Sequence, residues 1–145
     1  MARERKGEPG VLQTAARTVK VLAVDDSPAF LRTLALILDS DPSVGSVSTA
    51  TSGDEALSMA QLSQPDVVLM DLQMPRKNGL DTAADLRVMY PDVPVIILTA
   101  HQMRGLRHLC RQNGALEMIP KSELAQELPR LLRQIRDSLE HSAEA

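Results

Sequence analysis

The stretch that decides the fold is Asp71-Leu72-Gln73-Met74-Pro75-Arg76-Lys77-Asn78-Gly79, which directly follows the apolar run Val67-Val68-Leu69-Met70. A short apolar run of this kind favours a buried parallel strand, and a segment rich in Pro, Asn and Gly favours a loop. An acidic side chain at the end of a buried strand is costly unless its charge is used. The pattern therefore predicts a functional carboxylate at Asp71.

Three other apolar runs also end at polar residues. Val21–Val24 precedes Asp25-Asp26, Val95–Leu98 precedes Thr99, and Leu116–Ile119 is followed, after one residue, by Lys121. In an open sheet of parallel strands, ligands collect outside the carboxyl ends of the strands. The polar residues at these ends therefore predict one site at one edge of one sheet.

Strand-like runs alternate with helical patterns along the chain. Strands are predicted at residues 19–24, 44–50, 66–70, 93–98 and 116–119, and a helix is predicted after each of them. Ser27-Pro28 is a typical helix start, and Asn113-Gly114 is a typical helix stop. In the last helix we expect Pro129 in the first turn, after a separate turn, because a deeper proline removes a hydrogen bond. This alternation predicts an α/β protein with a parallel sheet covered on both faces and right-handed crossovers.

Length and composition indicate one globular domain. The 145 residues are 43% hydrophobic with a net charge of −3, and we expect a domain at 19–140 between a flexible tail at 1–18 and a short tail at 141–145. No apolar run approaches the roughly 20 residues that span a bilayer, so membrane insertion is not expected. The single cysteine, Cys110, suits a reducing cytoplasm. With only Phe30 and Tyr90 as aromatics, the chain lacks a set of rings to stack nucleobases, and we expect no nucleic-acid binding by this domain.

The acidic residues at the strand ends favour a hard cation. Asp25, Asp26 and Asp71 would repel one another if brought together, and each would raise the pKa of the others. Mg²⁺ prefers oxygen ligands and commonly needs only one or two protein carboxylates plus a phosphate. Zn²⁺ is a poorer match because no His or Cys lies near these positions in the sequence.

Together these motifs resemble the receiver domain of two-component response regulators. The resemblance covers residues 20–139 and is carried by Asp25-Asp26, the Asp71-to-Gly79 loop with Met74-Pro75, Thr99-Ala100, Gly114-Ala115 and Lys121. It implies a doubly wound, flavodoxin-like fold of the CheY type with five parallel strands in the order 2-1-3-4-5. Many receivers have proline directly after the lysine. Here Ser122 is at that position, and in this respect the chain resembles receivers of the NarL type.

The resemblance also implies a role for each site residue. Asp71 would accept a phosphoryl group, and Lys121 would pair with that group. Asp26, Asp71 and the main-chain carbonyl of Gln73 would ligate Mg²⁺ directly, while Asp25 would act through a metal-bound water. Thr99 would move towards the phosphoryl group and report its presence.

Three positions bear on how such a switch would behave. Met118 stands where many receivers have an aromatic residue that rotates inward with the threonine, and methionine specifies two discrete states less sharply. Gln73 and His101 lie two positions beyond Asp71 and Thr99, where the family tunes the loss of the phosphoryl group to water. The alternatives, core packing for Met118 and a solvent-facing loop for His101, stay open.

The implied function is a phosphorylatable switch in the cytoplasm rather than a turnover enzyme. Its partners would be a sensor histidine kinase or phosphotransfer protein and an unknown output target. Output would use the fourth helix, fifth strand and fifth helix, a face that could also form a homodimer. We expect a stand-alone receiver; the alternative is the receiver fragment of a DNA-binding regulator of the NarL/LuxR type.

Three other classes of protein compete with this interpretation. An Mg²⁺-dependent hydrolase with Asp71 as nucleophile would need a substrate pocket or a cap, and no insertion is large enough to form one. A pseudo-receiver, which keeps the fold without the chemistry, would not need intact acidic residues, threonine and lysine. A nucleotide-binding flavodoxin-like protein would need a glycine-rich phosphate loop after the first strand, where Asp25-Asp26 lies instead.

Overall fold

The computed structural model describes residues 17–101 and 104–144, and in this part of the chain strands and helices alternate as predicted. The strands are β1 (Val19–Val24), β2 (Val44–Ala50), β3 (Val67–Asp71), β4 (Val95–Thr99) and β5 (Glu117–Pro120). The helices are α1 (Pro28–Asp39), α2 (Gly53–Ser63), α3 (Gly79–Met89), α4 (Leu106–Gln112) and α5 (Leu124–Glu144), with a 3₁₀ turn at Lys121–Glu123 before α5. None of the helices in the described ranges is both long and apolar enough to cross a membrane.

The five strands form one parallel sheet in the order β2-β1-β3-β4-β5, which confirms the predicted topology. Val24 lies beside Met70, and Asp71 lies beside Leu98. Thr99 lies beside Pro120, the residue before Lys121. The register therefore aligns the carboxyl ends of β1, β3, β4 and β5, where the polar residues of the sequence motifs follow.

The core lies on both faces of the sheet because successive strand residues point in opposite directions. Leu22, Met70 and Ile97 pack on the face that α2, α3 and α4 cover. Leu69 and Ile96, one position earlier on their strands, pack on the face that α1 and α5 cover. Every residue of β3 and β4 is buried, as expected for central strands of a doubly wound fold.

Side-chain caps start the helices that follow β1, β2 and β3. The Ser27 hydroxyl accepts a hydrogen bond from the Phe30 N–H at 3.2 Å, with Pro28 in the first turn as predicted. Ser52 caps α2 and Asn78 caps α3 in the same way. A cap of this kind contributes about 1 kcal/mol and fixes where the chain leaves the strand.

Helix α4 ends where the sequence predicts, because Asn113 caps it and Gly114 follows with a φ of +94°. The helical spacing of Met103, Leu106, Leu109 and Cys110 in the sequence predicts an apolar stripe on this helix, and Met103 lies outside the described residues. Strands β4 and β5 begin one or two residues later than predicted, which is the usual uncertainty of element ends.

The position predicted for Pro129 is wrong. A separate turn does precede the helix, but α5 begins at Leu124, so Pro129 lies in its second turn rather than its first. There it cannot supply the N–H that would bond the Ala125 carbonyl. The buried residues Leu128 and Leu132, one turn apart, hold this part of the helix against the sheet. Packing therefore overrides the local preference against proline.

Arg17, in the predicted N-terminal tail, contacts the domain itself at the end opposite the motifs, and α5 extends into the predicted C-terminal tail. Helix α5 continues through His141 to Glu144, into the segment 141–145. The Arg17 N–H donates to the Glu140 carboxylate at 3.1 Å, and the Arg17 guanidinium lies 3.6 Å from Asp66. The rest of the predicted N-terminal tail, residues 1–16, lies outside the described residues.

Replacing Pro129 with alanine should stabilise the protein by about 1–2 kcal/mol, since it restores a helix N–H and removes the steric conflict of the ring. The gain is smaller than the full cost of a helical proline because alanine also gives the unfolded chain more freedom. Urea unfolding measures the change, and Gln126→Ala is the matched control at an exposed position of the same helix, with an expected change within about 0.5 kcal/mol. A lower stability for Pro129→Ala would contradict this account.

Candidate functional site

Three carboxylates converge at the carboxyl edge of the sheet. Asp25 and Asp26 follow β1, and Asp71 is the last residue of β3, the strand beside β1. Each offers an oxygen atom within 4.8 Å of the others. Asp25 and Asp71 are buried, whereas Asp26 is exposed. The cluster predicted from the sequence therefore forms, and its open side lies at Asp26.

Lys121 reaches two of these carboxylates from the far side of β4. Its Nζ atom lies 2.8 Å from Asp25 Oδ2 and 3.2 Å from Asp71 Oδ1. The lysine begins the 3₁₀ turn that follows β5, so the last strand delivers it to the same edge. One ammonium group thus lies against two buried carboxylates, as a charge-assisted hydrogen bond to Asp25 and an ion pair with Asp71.

The electrostatics of the site leave it negative. Burial raises the pKa of Asp71, and the Asp25 charge adds to this effect, while Lys121 opposes it only in part. Burial acts to lower the pKa of Lys121, but the hydrogen bond to Asp25 and the charges of Asp71 and Asp25 outweigh it, so its pKa is raised. Lys121 therefore keeps its positive charge at neutral pH, but one positive charge does not balance the three carboxylates.

The loop after Asp71 is held close to the strand by a glycine. A Cβ atom at Gly79 would lie only 2.2 Å from the Asp71 main-chain oxygen, so no other residue fits without moving the backbone. The Gly79 N–H donates to the Leu72 carbonyl at 2.9 Å, which closes the loop onto the strand end. Arg76 takes the strained left-handed conformation within this loop, with a φ of +66°.

Thr99 is buried at the end of β4, on the strand beside Asp71. Its hydroxyl donates to the His101 carbonyl at 2.7 Å and accepts from the His101 N–H at 3.1 Å. The hydroxyl is thus bonded to its own loop in this structure. The His101 side chain is exposed at the carboxyl edge of the sheet.

Gln73 and Met118 lie on different sides of the site. Gln73 is exposed in the loop after β3 and borders a shallow depression between that loop and α4. Met118 is buried in the core beneath α2, α3 and α4. The Met118 carbonyl accepts from Arg107 Nη1 at 3.0 Å, and Arg107 also pairs with the Glu117 carboxylate, so α4 is tied to β5 by polar contacts.

Sequence reasoning missed two contacts of the site. The Phe30 ring centroid lies 4.0 Å from Lys121 Nζ. In the sequence, the helical spacing of Phe30 with Leu31, Leu34, Ile37 and Leu38 predicts only an apolar stripe. Ser27, read as a helix cap, also donates its N–H to Asp25 Oδ1 at 2.8 Å. The short spacing from Asp25 through Ser27 to Phe30 in the first helical turn was the available signal, since it brings all three to the same sheet edge.

Comparison with known proteins identifies the family to which this arrangement belongs. A family model described as the response regulator receiver domain matches residues 21–133. The chain belongs to this family. The predicted membership of the receiver family and the predicted CheY-like fold are thereby confirmed.

The relatives of this receiver include larger proteins. The receiver is 41% identical over 107 residues to a protein-glutamate methylesterase/protein-glutamine glutaminase of Pyrococcus horikoshii, covering 72% of this chain and 29% of that protein. A protein of the same description from Clostridium acetobutylicum is 31% identical over 115 residues, covering 78% of this chain and 33% of that protein. The chain thus spans about three tenths of the length of the curated relatives it matches.

Solved receiver structures agree with this fold. The response regulator domain of Thermotoga maritima CheB superposes with a TM-score of 0.75 at 30% identity, over 83% of this chain and 98% of that domain. The receiver domain of NarL from Mycobacterium tuberculosis superposes with a TM-score of 0.76 at 27% identity, with the same coverage of each chain. Receivers from two different kinds of regulator, CheB and NarL, therefore fit this chain equally well.

Without a metal, Asp71→Asn should raise the free energy of unfolding at pH 7 by on the order of 1 kcal/mol, because it removes a buried charge that the neighbouring carboxylate repels. The folded-state pKa of Asp71 is raised, so the wild type loses stability as pH rises from the ordinary carboxyl range to that raised value. The advantage of the variant should therefore grow with pH in this window and stay constant above it. Urea unfolding in EDTA across this pH range tests the prediction.

The matched control for this experiment is Asp92→Asn, which neutralises an exposed carboxylate in the turn before β4. It should change stability by less than about 0.5 kcal/mol at any pH. If Asp71→Asn were the less stable protein at pH 7 in EDTA, the account of a repulsive carboxylate cluster would be refuted.

Proposed function

We propose that this receiver is a signalling switch in which Asp71 accepts a phosphoryl group from a sensor histidine kinase or phosphotransfer protein. The observation that carries the proposal is the position of the Asp71 carboxylate. It lies with Asp25 and Asp26 in one cluster of oxygens within 4.8 Å, and Lys121 Nζ reaches it at 3.2 Å. An acceptor, a set of metal ligands and a fixed cation are the parts that phosphoryl transfer needs.

The donor set fits Mg²⁺. Its atoms are carboxylate oxygens, its charge is negative even with Lys121, and Asp26 leaves one side open to solvent. In this proposal Asp26, Asp71 and the Gln73 main-chain carbonyl bind the ion directly, and Asp25 acts through a water. The bound ion would neutralise charge on the oxygens of the transferring group.

The side chains of the protein carry out the remaining steps. An Asp71 oxygen forms a bond to phosphorus as the bond from phosphorus to the donor breaks and its electron pair leaves with the donor. Lys121 stabilises the negative charge that spreads over the phosphoryl oxygens. Thr99 would exchange its present hydrogen bond to His101 for one to the phosphoryl group. Gln73 and His101, which flank the site, would then set how readily water removes the group.

The proposed output surface is the α4, β5 and α5 face. Arg107 and Arg111 on α4 both pair with Glu117 on β5, so this face can change when β5 moves. It would bind the output target or a second copy of the chain, and Met118 would move within it. The proposed site of action is the cytoplasm, which suits the unpaired Cys110.

The methylesterase relatives match this chain over 107 to 115 residues, about a third or less of their length. The activity in their names is therefore proposed for this chain only as an output that a receiver of this kind can regulate. Regulation of a DNA-binding domain of the NarL/LuxR type is the second candidate, favoured by a TM-score of 0.77 and 25% identity to a LuxR-family response regulator of Aurantimonas. In either case the receiver itself acts as a switch rather than as a turnover enzyme.

Incubation with acetyl phosphate and Mg²⁺ should add one phosphoryl group to the wild type and none to Asp71→Asn, because the amide is a poor nucleophile. Intact-mass spectrometry detects the addition. The control Asp92→Asn, a change of the same chemistry at an exposed site, should be labelled like the wild type. Labelling of Asp71→Asn at the wild-type rate would refute the assignment of the acceptor.

Mg²⁺ at ten times its dissociation constant should stabilise the wild type by about 1.4 kcal/mol, since it binds only the folded protein. Asp26→Asn removes the exposed carboxylate of the cluster and should abolish most of this gain, whereas Asp92→Asn should retain it. Urea unfolding with Mg²⁺ and with EDTA gives the two values for each protein. A full gain in Asp26→Asn would show that the ion does not bind at this cluster.

A further inference from the structure

The lysine of the site contacts an aromatic ring as well as two carboxylates. Lys121 Nζ lies 4.0 Å from the Phe30 ring centroid, within the range of a cation–π interaction. Phe30 is one of only two aromatic residues in the chain, and Tyr90 follows α3 at the opposite edge of the sheet. The ring is half-buried, and it packs against the core between the sheet and α1 and α5.

Phe30 is held in place by the same residues that form the site. The Ser27 N–H donates to Asp25 Oδ1 at 2.8 Å, and the Ser27 hydroxyl accepts from the Phe30 N–H at 3.2 Å. The ring then contacts Lys121, whose Nζ returns to Asp25 Oδ2 at 2.8 Å. These contacts form a closed circuit that starts and ends on one carboxylate, so the ring cannot move far without disturbing the acidic pair.

We propose that Phe30 is a positioning residue for phosphoryl acceptance, acting through Lys121. A lysine side chain has four rotatable methylene groups and no rigid fork, so its ammonium group needs an external guide. The negative face of the ring attracts the ammonium group and covers one side of it, which leaves its N–H donors directed at the carboxylate edge. This inference rests on the proposed function and adds a residue to it.

The ring should matter most when Asp71 reacts. As the acceptor becomes an acyl phosphate, the charge that holds Lys121 shifts outward from the carboxylate to the phosphoryl oxygens. The contact with Phe30 does not depend on that charge, so the ring keeps the ammonium group at the edge of the site throughout the transfer. Phe30 thus supplies orientation for the step, a contribution that depends on geometry of this kind.

The test measures the rate of labelling by acetyl phosphate in Phe30→Leu and Phe30→Tyr. Leucine keeps an apolar side chain but lacks the π face, so its rate should fall about three- to tenfold, the range of an exposed to partly buried cation–π contact. Tyrosine keeps the face and should restore the wild-type rate. Urea unfolding checks that both variants remain folded, and a tyrosine variant as slow as the leucine variant would overturn the proposal.

A double-mutant cycle separates positioning from general packing. In a Lys121→Met background, Phe30→Leu should cause no further loss of labelling rate, because the group that the ring guides is gone. The same three- to tenfold loss in both backgrounds would mean that Phe30 acts by packing alone, and the proposal would be wrong.

Nuclear magnetic resonance gives a readout that needs neither phosphodonor nor Mg²⁺. The Lys121 Cε protons should resonate upfield in the wild type and in Phe30→Tyr because of the ring, and return to ordinary values in Phe30→Leu. Ordinary shifts in the wild type would overturn the proposal even if labelling succeeds. Failure of wild-type labelling with upfield shifts present would instead refute the proposed function, and with it the role of the ring in phosphoryl acceptance.

Discussion

The site depends on the Lys121 ammonium group between the buried carboxylates of Asp25 and Asp71. Two carboxylates buried side by side would be unfavourable without a cation, and loss of the lysine would leave both charges unpaired, which typically costs 3–5 kcal/mol. Lys121 stabilises the two buried carboxylates but does not neutralise the site, because Asp26 adds a third negative charge. The remaining charge would favour a divalent cation at the proposed magnesium site, and the exposure of Asp26 would give that cation access from solvent.

The parallel sheet creates this convergence from residues distant in sequence. Lys121 bonds Asp25 across 96 residues of chain because β5 and β1 end at the same edge. The order β2-β1-β3-β4-β5 places β1 directly beside β3, so the acidic residues that follow them become neighbours. The loop after β3 must then turn sharply away, and Gly79 permits this through a contact with the Asp71 main-chain oxygen that a Cβ atom would block. The proposed function thus depends on backbone geometry as well as on side-chain chemistry.

The sequence predicted the features that depend on periodic patterns or on strand ends. β1 and β2 have the predicted bounds, and the polar residues after β1 and β3 meet as expected. Pro129 was misplaced because a local rule on proline takes no account of the buried leucines that hold α5 in its helical form. Phe30 was read as core because its spacing fits a helical stripe. Its contact with Lys121 joins residues on α1 and after β5, and no local pattern encodes that geometry.

Contacts between distant parts of the chain also determine how a change at the site could reach the α4–β5 surface. The Met118 side chain lies on the buried side of β5. Methionine has three rotatable side-chain bonds, so this side chain has many conformations of similar energy rather than two distinct ones. The polar contacts of Arg107 are more selective, since one guanidinium holds both the Met118 carbonyl and the Glu117 carboxylate. The guanidinium is planar and its donors have fixed directions. A shift of β5 relative to α4 would therefore either break both of these contacts or preserve both of them. If the α4–β5 surface switches as proposed, the hydrogen bonds of Arg107 would therefore set the step between its two states, and the side chain of Met118 would only adapt to it.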